Sequence, residues 1–268
     1  MPNRTTWIQS QVAPDKEALA AGDGCHKDEA KCLNDYLGGK MTVQEAAKAI
    51  ISPVLQETDP SAEVYRLNAF LCEALVELED DRENLFQLLE MIQSQPSAGS
   101  IDWSQLQGFG HMWSDLYGLH LHEPSEWERA RSPLPVDKRA SLCHEFEAIG
   151  TVEATLFMRG IGGVSADWGY ETLNMVCLGR PGLEVFIYKA HAWLRVAGVR
   201  LVQSQRPEQL KSWSQLVQGR HGKVEAVGTP MAEHWQRWKR SIKEMSEVDG
   251  LLSNESREIA AECHKLME

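Results

Sequence analysis

The chain has 268 residues, enough for one large domain or two small ones, since a single core stops growing near roughly 250–300 residues. Apolar residues make up 43% and charged residues 25%, which excludes a wholly disordered, collagen-like or disulfide-scaffold chain. Asp and Glu outnumber Lys and Arg by 39 to 27, and the net charge of −12 argues against phosphate backbones and anionic membrane surfaces as partners.

Residues 1–28 are small, polar and weakly periodic, and predict a loosely draped arm ahead of one all-helical domain over 29–268. They carry no apolar h-region, so no signal peptide is read there. Thr42-Val-Gln-Glu45 reads as a capping box, and Pro53 is expected to stop the helix it opens. Asp59-Pro60 predicts an N-cap with Pro in the first helical position. Further helices are expected over 84–94 and 103–119. Asp137 is expected to cap a long helix ending at Arg159. Gly160, Gly162 and Gly163 break the chain, and Ser165 opens the next helix. The most apolar stretch, Leu183 to Val202, carries Lys189, His191, Arg195 and Arg200, so it reads as a buried central helix and not a membrane span. Helices over 207–217, from Pro230 and from Ser253 complete the chain. No stretch alternates apolar and polar residues with hairpin signals. The reading is all-α, about ten helices as stacked α–α hairpins around the central apolar helix, in a single domain.

The order and spacing of LNDYLGGKMTVQEAAKAI, IDWSQLQGFGHMWSDL, HWQRWKRSIKEMSEV and REIAAECHKLM resemble a fungal all-helical family, domain of unknown function 3632. The resemblance implies a fungal, intracellular helical protein and transfers no catalytic residue.

The six cysteines form no C-x-x-C pair and read as reduced, buried thiols. His111, Asp115, His120 and His122 have metal-ligand chemistry, but His111 and Asp115 fall off the stripe Leu106, Gly110, Trp113, Tyr117, so no metal is expected. The Gly160–Gly163 cluster lacks a dinucleotide or P-loop spacing and reads as a helix–helix joint. Trp235 and Trp238, with Trp213, read as core packing before a ligand wall. The basic run WQRWKRSIK reads as a solvated helix face, so no nucleic-acid partner is expected.

The sharper signal is ionisable residues on apolar stripes. Glu153 follows Leu142, Phe146 and Ile149; Glu171 shares a face with Trp168 and Met175; His191 shares one with Ile187 and Leu194. Buried ionisable groups are costly unless paired, and they cluster at functional sites. The catalytic reading places Glu153, Glu171 and His191 together, with Trp113, Trp168 and Tyr188 as substrate-binding walls. It makes the protein a cofactor-independent isomerase or cyclase acting on an apolar small molecule, in fungal secondary metabolism, with the cytoplasm (or nucleus) as its compartment. The structural reading pairs Glu153 or Glu171 with Arg159, Arg195 or His191. It suits a non-catalytic helical interaction or scaffold protein.

Overall fold

The computed structural model describes residues 3–118, 136–177, 182–205 and 229–268. Twelve α-helices and two short 3₁₀ turns form among them, with isolated bridges and no strand, so the all-α class holds. The contacts divide the chain into two compact units, one of residues 1–119 with 159–164 and one of 120–158 with 165–268.

The first unit contains α1 (Arg4–Ser10), α2 (Lys16–Ala21), α3 (Lys27–Leu37), α4 (Val43–Gln56), α5 (Pro60–Glu77), α6 (Arg82–Gln93) and α7 (Phe109–Gly118). The first two helices correct the expectation of a draped arm. Trp7 and Ile8 are buried, and Trp7 stacks on Phe70 at 6.0 Å. Arg4 donates to the Leu37 carbonyl and to Asp81. Two large apolar residues amid polar ones are too sparse to show periodicity, yet they suffice to anchor the segment. The Thr42–Glu45 capping box is present in both directions. Asp59 caps α5 with Pro60 in its first turn. Pro53, however, lies inside α4 and does not end it. Proline removes one intrahelical hydrogen bond, and burial of Ile50, Ile51 and Val54 outweighs that loss.

The helix expected over 103–119 is broken. A 3₁₀ turn over Trp103–Gln105 leads into Leu106 and Gly108, both at positive φ, before α7 begins. A Cβ on Gly108 would meet the Tyr65 ring at 2.9 Å. Asn68 pins the turn by donating to the Gln107 carbonyl at 2.9 Å.

The second unit contains α8 (Val136–Arg159, whose last residue is grouped with the first unit), α9 (Ala166–Cys177), α10 (Leu183–Gln203), α11 (Met231–Glu247) and α12 (Asn254–Leu266). Asp137 lies within the first turn of α8 and is not its cap. Helix α10 is buried on nearly all sides through its first three turns, as its apolar composition demands. It packs against α9 and α12, while α11 packs against those same two helices. Tyr170 on α9 donates to the Leu201 carbonyl at 2.7 Å, and Trp238 on α11 donates to Asn174 at 3.2 Å. Trp235 and Trp238 are core residues. Ser253 caps α12 by accepting from the Ser256 N–H. The helix expected over 207–217 and Trp213 lie outside the described residues.

Helices α8 and α10 come together at Gly150, where an added Cβ would lie 2.6 Å from the Lys189 carbonyl oxygen and 3.0 Å from the Ala192 Cβ. Alanine favours a helix interior over glycine by about 1 kcal/mol. Gly150→Ala is nevertheless expected to destabilise the fold by about 1–3 kcal/mol, because backbone must move. Urea unfolding followed by circular dichroism measures this; an unchanged or raised midpoint would refute the close approach.

Candidate functional site

Glu153 is buried at 3% exposure on α8, as its place on an apolar stripe predicts. Its Oε1 accepts from Lys189 Nζ at 2.8 Å, and its Oε2 accepts from Trp193 Nε1 at 2.8 Å. Lys189 and Trp193 are four residues apart on α10 and therefore share a face. Lys189 is itself buried, so opposite charges meet out of water with a neutral donor completing the carboxylate. Sequence reasoning found the acid but not its partners: it offered Arg159, Arg195 or His191. Arg159 instead pairs with Glu83 and Glu90, and Arg195 with Glu147.

His191 lies two residues from both Lys189 and Trp193, roughly half a turn around the helix. It faces α12, where its Nε2 sits 3.1 Å from Glu262 Oε2. Burial, and then the nearby Arg195 charge, lower its pKa below the usual imidazole range. It belongs to a polar strip of Glu184, Tyr188, His191 and Arg195, spaced as one helical face. Ser253 donates to Glu184 through its N–H and hydroxyl, and Ser256 Oγ donates to it as well. Burial pushes the Tyr188 phenol up to about 12, with the Cys143 thiol adding to the effect.

The six expected site residues therefore do not form one site. Glu153 and His191 face different neighbours. Glu171 is exposed and Trp168 half-buried, because the inward face of α9 is Gly169, Tyr170, Thr172, Leu173 and Val176. The face chosen from sequence was one step off. Trp113 is buried in the first unit, between Phe109 and Tyr117. His111 and Asp115 are an exposed pair 3.6 Å apart, while His120 and His122 lie outside the described residues. No three His, Cys, Asp or Glu side chains among the described residues are placed to hold a metal ion. All six cysteines are free, five of them buried.

A second cluster, in the first unit, was not expected. Glu29 is fully buried at the N-terminus of α3, where its Oε2 accepts from the His26 N–H at 2.8 Å. Its Oε1 has no hydrogen-bond partner, nor does the buried Nε of Arg66, a residue paired with Glu63. Desolvation pushes the Glu29 carboxyl up to about 7; the His26 N–H and the Arg66 charge oppose that rise, while Glu57 and Asp28 add to it. Burial also holds His26 below the usual imidazole range. His26 and Glu57 line an open cleft of about 480 Å³ with Asp28, Ser52, Gln56 and Pro53. A smaller cleft of about 100 Å³ is lined by Cys25, Arg66, Phe70 and Glu73, and burial pushes the Cys25 thiol up to about 12. The one sequence signal for this cluster is His26-x-x-Glu29, a capping pattern whose first residue is not the usual Ser or Thr.

No family model, no curated protein and no solved structure matches this chain.

A carboxyl whose pKa is higher in the folded than in the unfolded chain contributes stability that is complete below about pH 4.5 and is lost as pH rises through about 7. The lowered pKa values of His26 and His191 tilt stability the other way below pH 6.5, so the wild type must be compared with Glu29→Gln. The amide keeps the cap acceptor and cannot ionise. Glu29→Gln is expected to be more stable than wild type at pH 8, with the advantage gone at pH 5, in thermal melts. A difference independent of pH would refute it.

Proposed function

We propose that this protein is a non-catalytic helical interaction protein. The observation that carries the reading is what holds Glu153. Its oxygens are held by Lys189 and Trp193 in a buried network, and a general acid or base must instead face the proton it moves. Glu171 on the surface and His191 against Glu262 support the same view. None of the three lines either first-unit cleft.

A surface on the second unit suits the role. Val199 and Val202 are 74% and 46% exposed on the last turns of α10. Leu266, also exposed, ends α12 beside Gly198. Arg200 and Lys265 flank these apolar groups, so the partner that fits is a protein presenting apolar side chains rimmed by carboxylates. No helix among the described residues is long and apolar enough to cross a membrane. The fungal source and intracellular setting rest on the family resemblance and belong to this proposal.

Two measurements test it. Glu153→Gln leaves the buried Lys189 ammonium without its counter-charge, so stability should fall by about 3 kcal/mol. A variant with unchanged stability that abolishes turnover of a metabolite would restore the enzyme reading. Crosslinking mass spectrometry in the native cell should join Lys265 to an acidic segment of one partner chain. Val199→Asp with Val202→Asp should remove that crosslink without shifting the melting temperature; a crosslink that survives both changes would overturn the surface.

A further inference from the structure

The chain between α1 and α3 is held to the first unit at its two ends only. From Pro14 to Gly24, a stretch that includes all of α2, no residue is buried. The ends meet in a clasp of two backbone hydrogen bonds: Cys25 donates to the Gln11 carbonyl at 2.8 Å, and Ala13 donates to the Cys25 carbonyl at 3.1 Å. Ala13 and Cys25 are buried at this point. Gly24 permits the approach, because a Cβ on it would meet the Gln11 carbonyl oxygen at 2.7 Å. The next N–H along the chain, that of His26, is the one Glu29 Oε2 accepts from. The clasp and the buried carboxyl are therefore adjacent links of one chain of hydrogen bonds. Gln11, Gly22, Gly24 and Cys25 also line the small cleft with Arg66, so the closed segment lies against that side chain.

A buried carboxylic acid with one donor is tolerable, but a buried carboxylate in the same place is not. Glu29 Oε1 has no hydrogen-bond partner, and the Nε of Arg66 has none either while that guanidinium is paired with Glu63. Among the charges around Glu29, Arg66 on α5 favours its ionised form, whereas Glu57 after α4 and Asp28 on α3 oppose it. The Cys25 and Cys32 thiols are neutral neighbours, and Glu73 on α5 acts on Cys25. Arg4, the charged residue of α1, is occupied by the Leu37 carbonyl and Asp81. Opening the clasp exposes little apolar surface, frees Arg66 from its cover and lets water reach the carboxylate, so it relieves the charge at small cost. We propose that Glu29 is a proton-controlled latch: when it loses its proton, residues 11–25 lift from the first unit and uncover Cys25.

The test is amide hydrogen exchange of the full chain from pH 5 to pH 8, with intrinsic rates divided out, beside alkylation of Cys25 located by peptide mass spectrometry. Closure is tied to the protonated carboxyl, so it weakens as pH rises through about 7. His26 acts in the opposite sense below pH 6.5, and comparison with Glu29→Gln, which keeps His26, removes its effect. Relative to that variant, protection of the Ala13 and Cys25 amides in the wild type should fall by about tenfold or more across the range. Protection at Leu71 and Leu75 in α5 should not follow. Alkylation separates an open segment from a closed one by its sign. In a closed segment the Glu29 carboxylate raises the Cys25 thiol further and slows the reaction. In an open one, wild type at pH 8 should react about tenfold or more faster than Glu29→Gln. Should the variant not fold, the wild type alone decides: above pH 6.5, where His26 is already neutral, protection at Ala13 and Cys25 should still fall. The latch is overturned if that protection is flat or rises, or if Glu29→Gln loses it equally. It is also overturned if α5 loses protection in step, which is global unfolding, or if Cys25 reacts no faster in the wild type than in the variant.

Discussion

The second unit depends on one interaction made out of water, the Glu153 carboxylate between the Lys189 ammonium and the Trp193 indole N–H. Removing two charges from water costs several kcal/mol for each ion, and their attraction offsets that only when geometry is good and the remaining hydrogen-bond sites are filled. Here each carboxylate oxygen has a donor at 2.8 Å. Such a network adds little net stability but strongly penalises every arrangement that misplaces it. It therefore fixes how α8 lies along α10. Gly150, one turn before Glu153, makes the required backbone approach sterically possible.

The opposite side of α10 is fixed by different means. Glu184 receives donors from Ser253 and Ser256 at the start of α12, and His191 meets Glu262 two turns further along it. The helix is thus apolar in composition yet polar at its points of registration. Apolar burial drives its insertion, while the few ionisable groups choose its rotation and its offset along each neighbour.

Local signals were legible wherever the deciding partner lies within one turn. The Thr42–Glu45 box, the Asp59-Pro60 start, the Gly160–Gly163 break and the Ser253 cap are all of this kind. Glu153 was legible as a buried acid because its stripe is otherwise apolar. Its partners were not, because they lie 36 and 40 residues away. Glu171 shows the limit of periodicity in a short helix. A 12-residue helix with Trp168 and Met175 on one side and Tyr170 and Leu173 on another offers two plausible inward faces, and only the neighbouring helices decide between them. The N-terminal helices and the Glu29 cluster escaped notice because their anchors are single residues in a polar context. Trp7, Ile8 and Glu29 are buried by long-range contacts that no local pattern announces.

Taken with the first unit, the molecule uses buried carboxyls in two ways. Glu153 has a full set of donors and a counter-charge, whereas Glu29 has one donor, one unfilled oxygen and a raised pKa. The first is rigid by construction, and the second is where protons can change stability. The most direct measurement of this account is a double-mutant cycle on Glu153→Leu and Lys189→Met, with unfolding free energies from urea titration. A structural pair predicts that each single change is severely destabilising, that the double variant recovers most of the loss, and that the coupling exceeds about 2 kcal/mol. Single effects that add to within about 0.5 kcal/mol would contradict it, and would mean that the two charges do not depend on one another to remain buried.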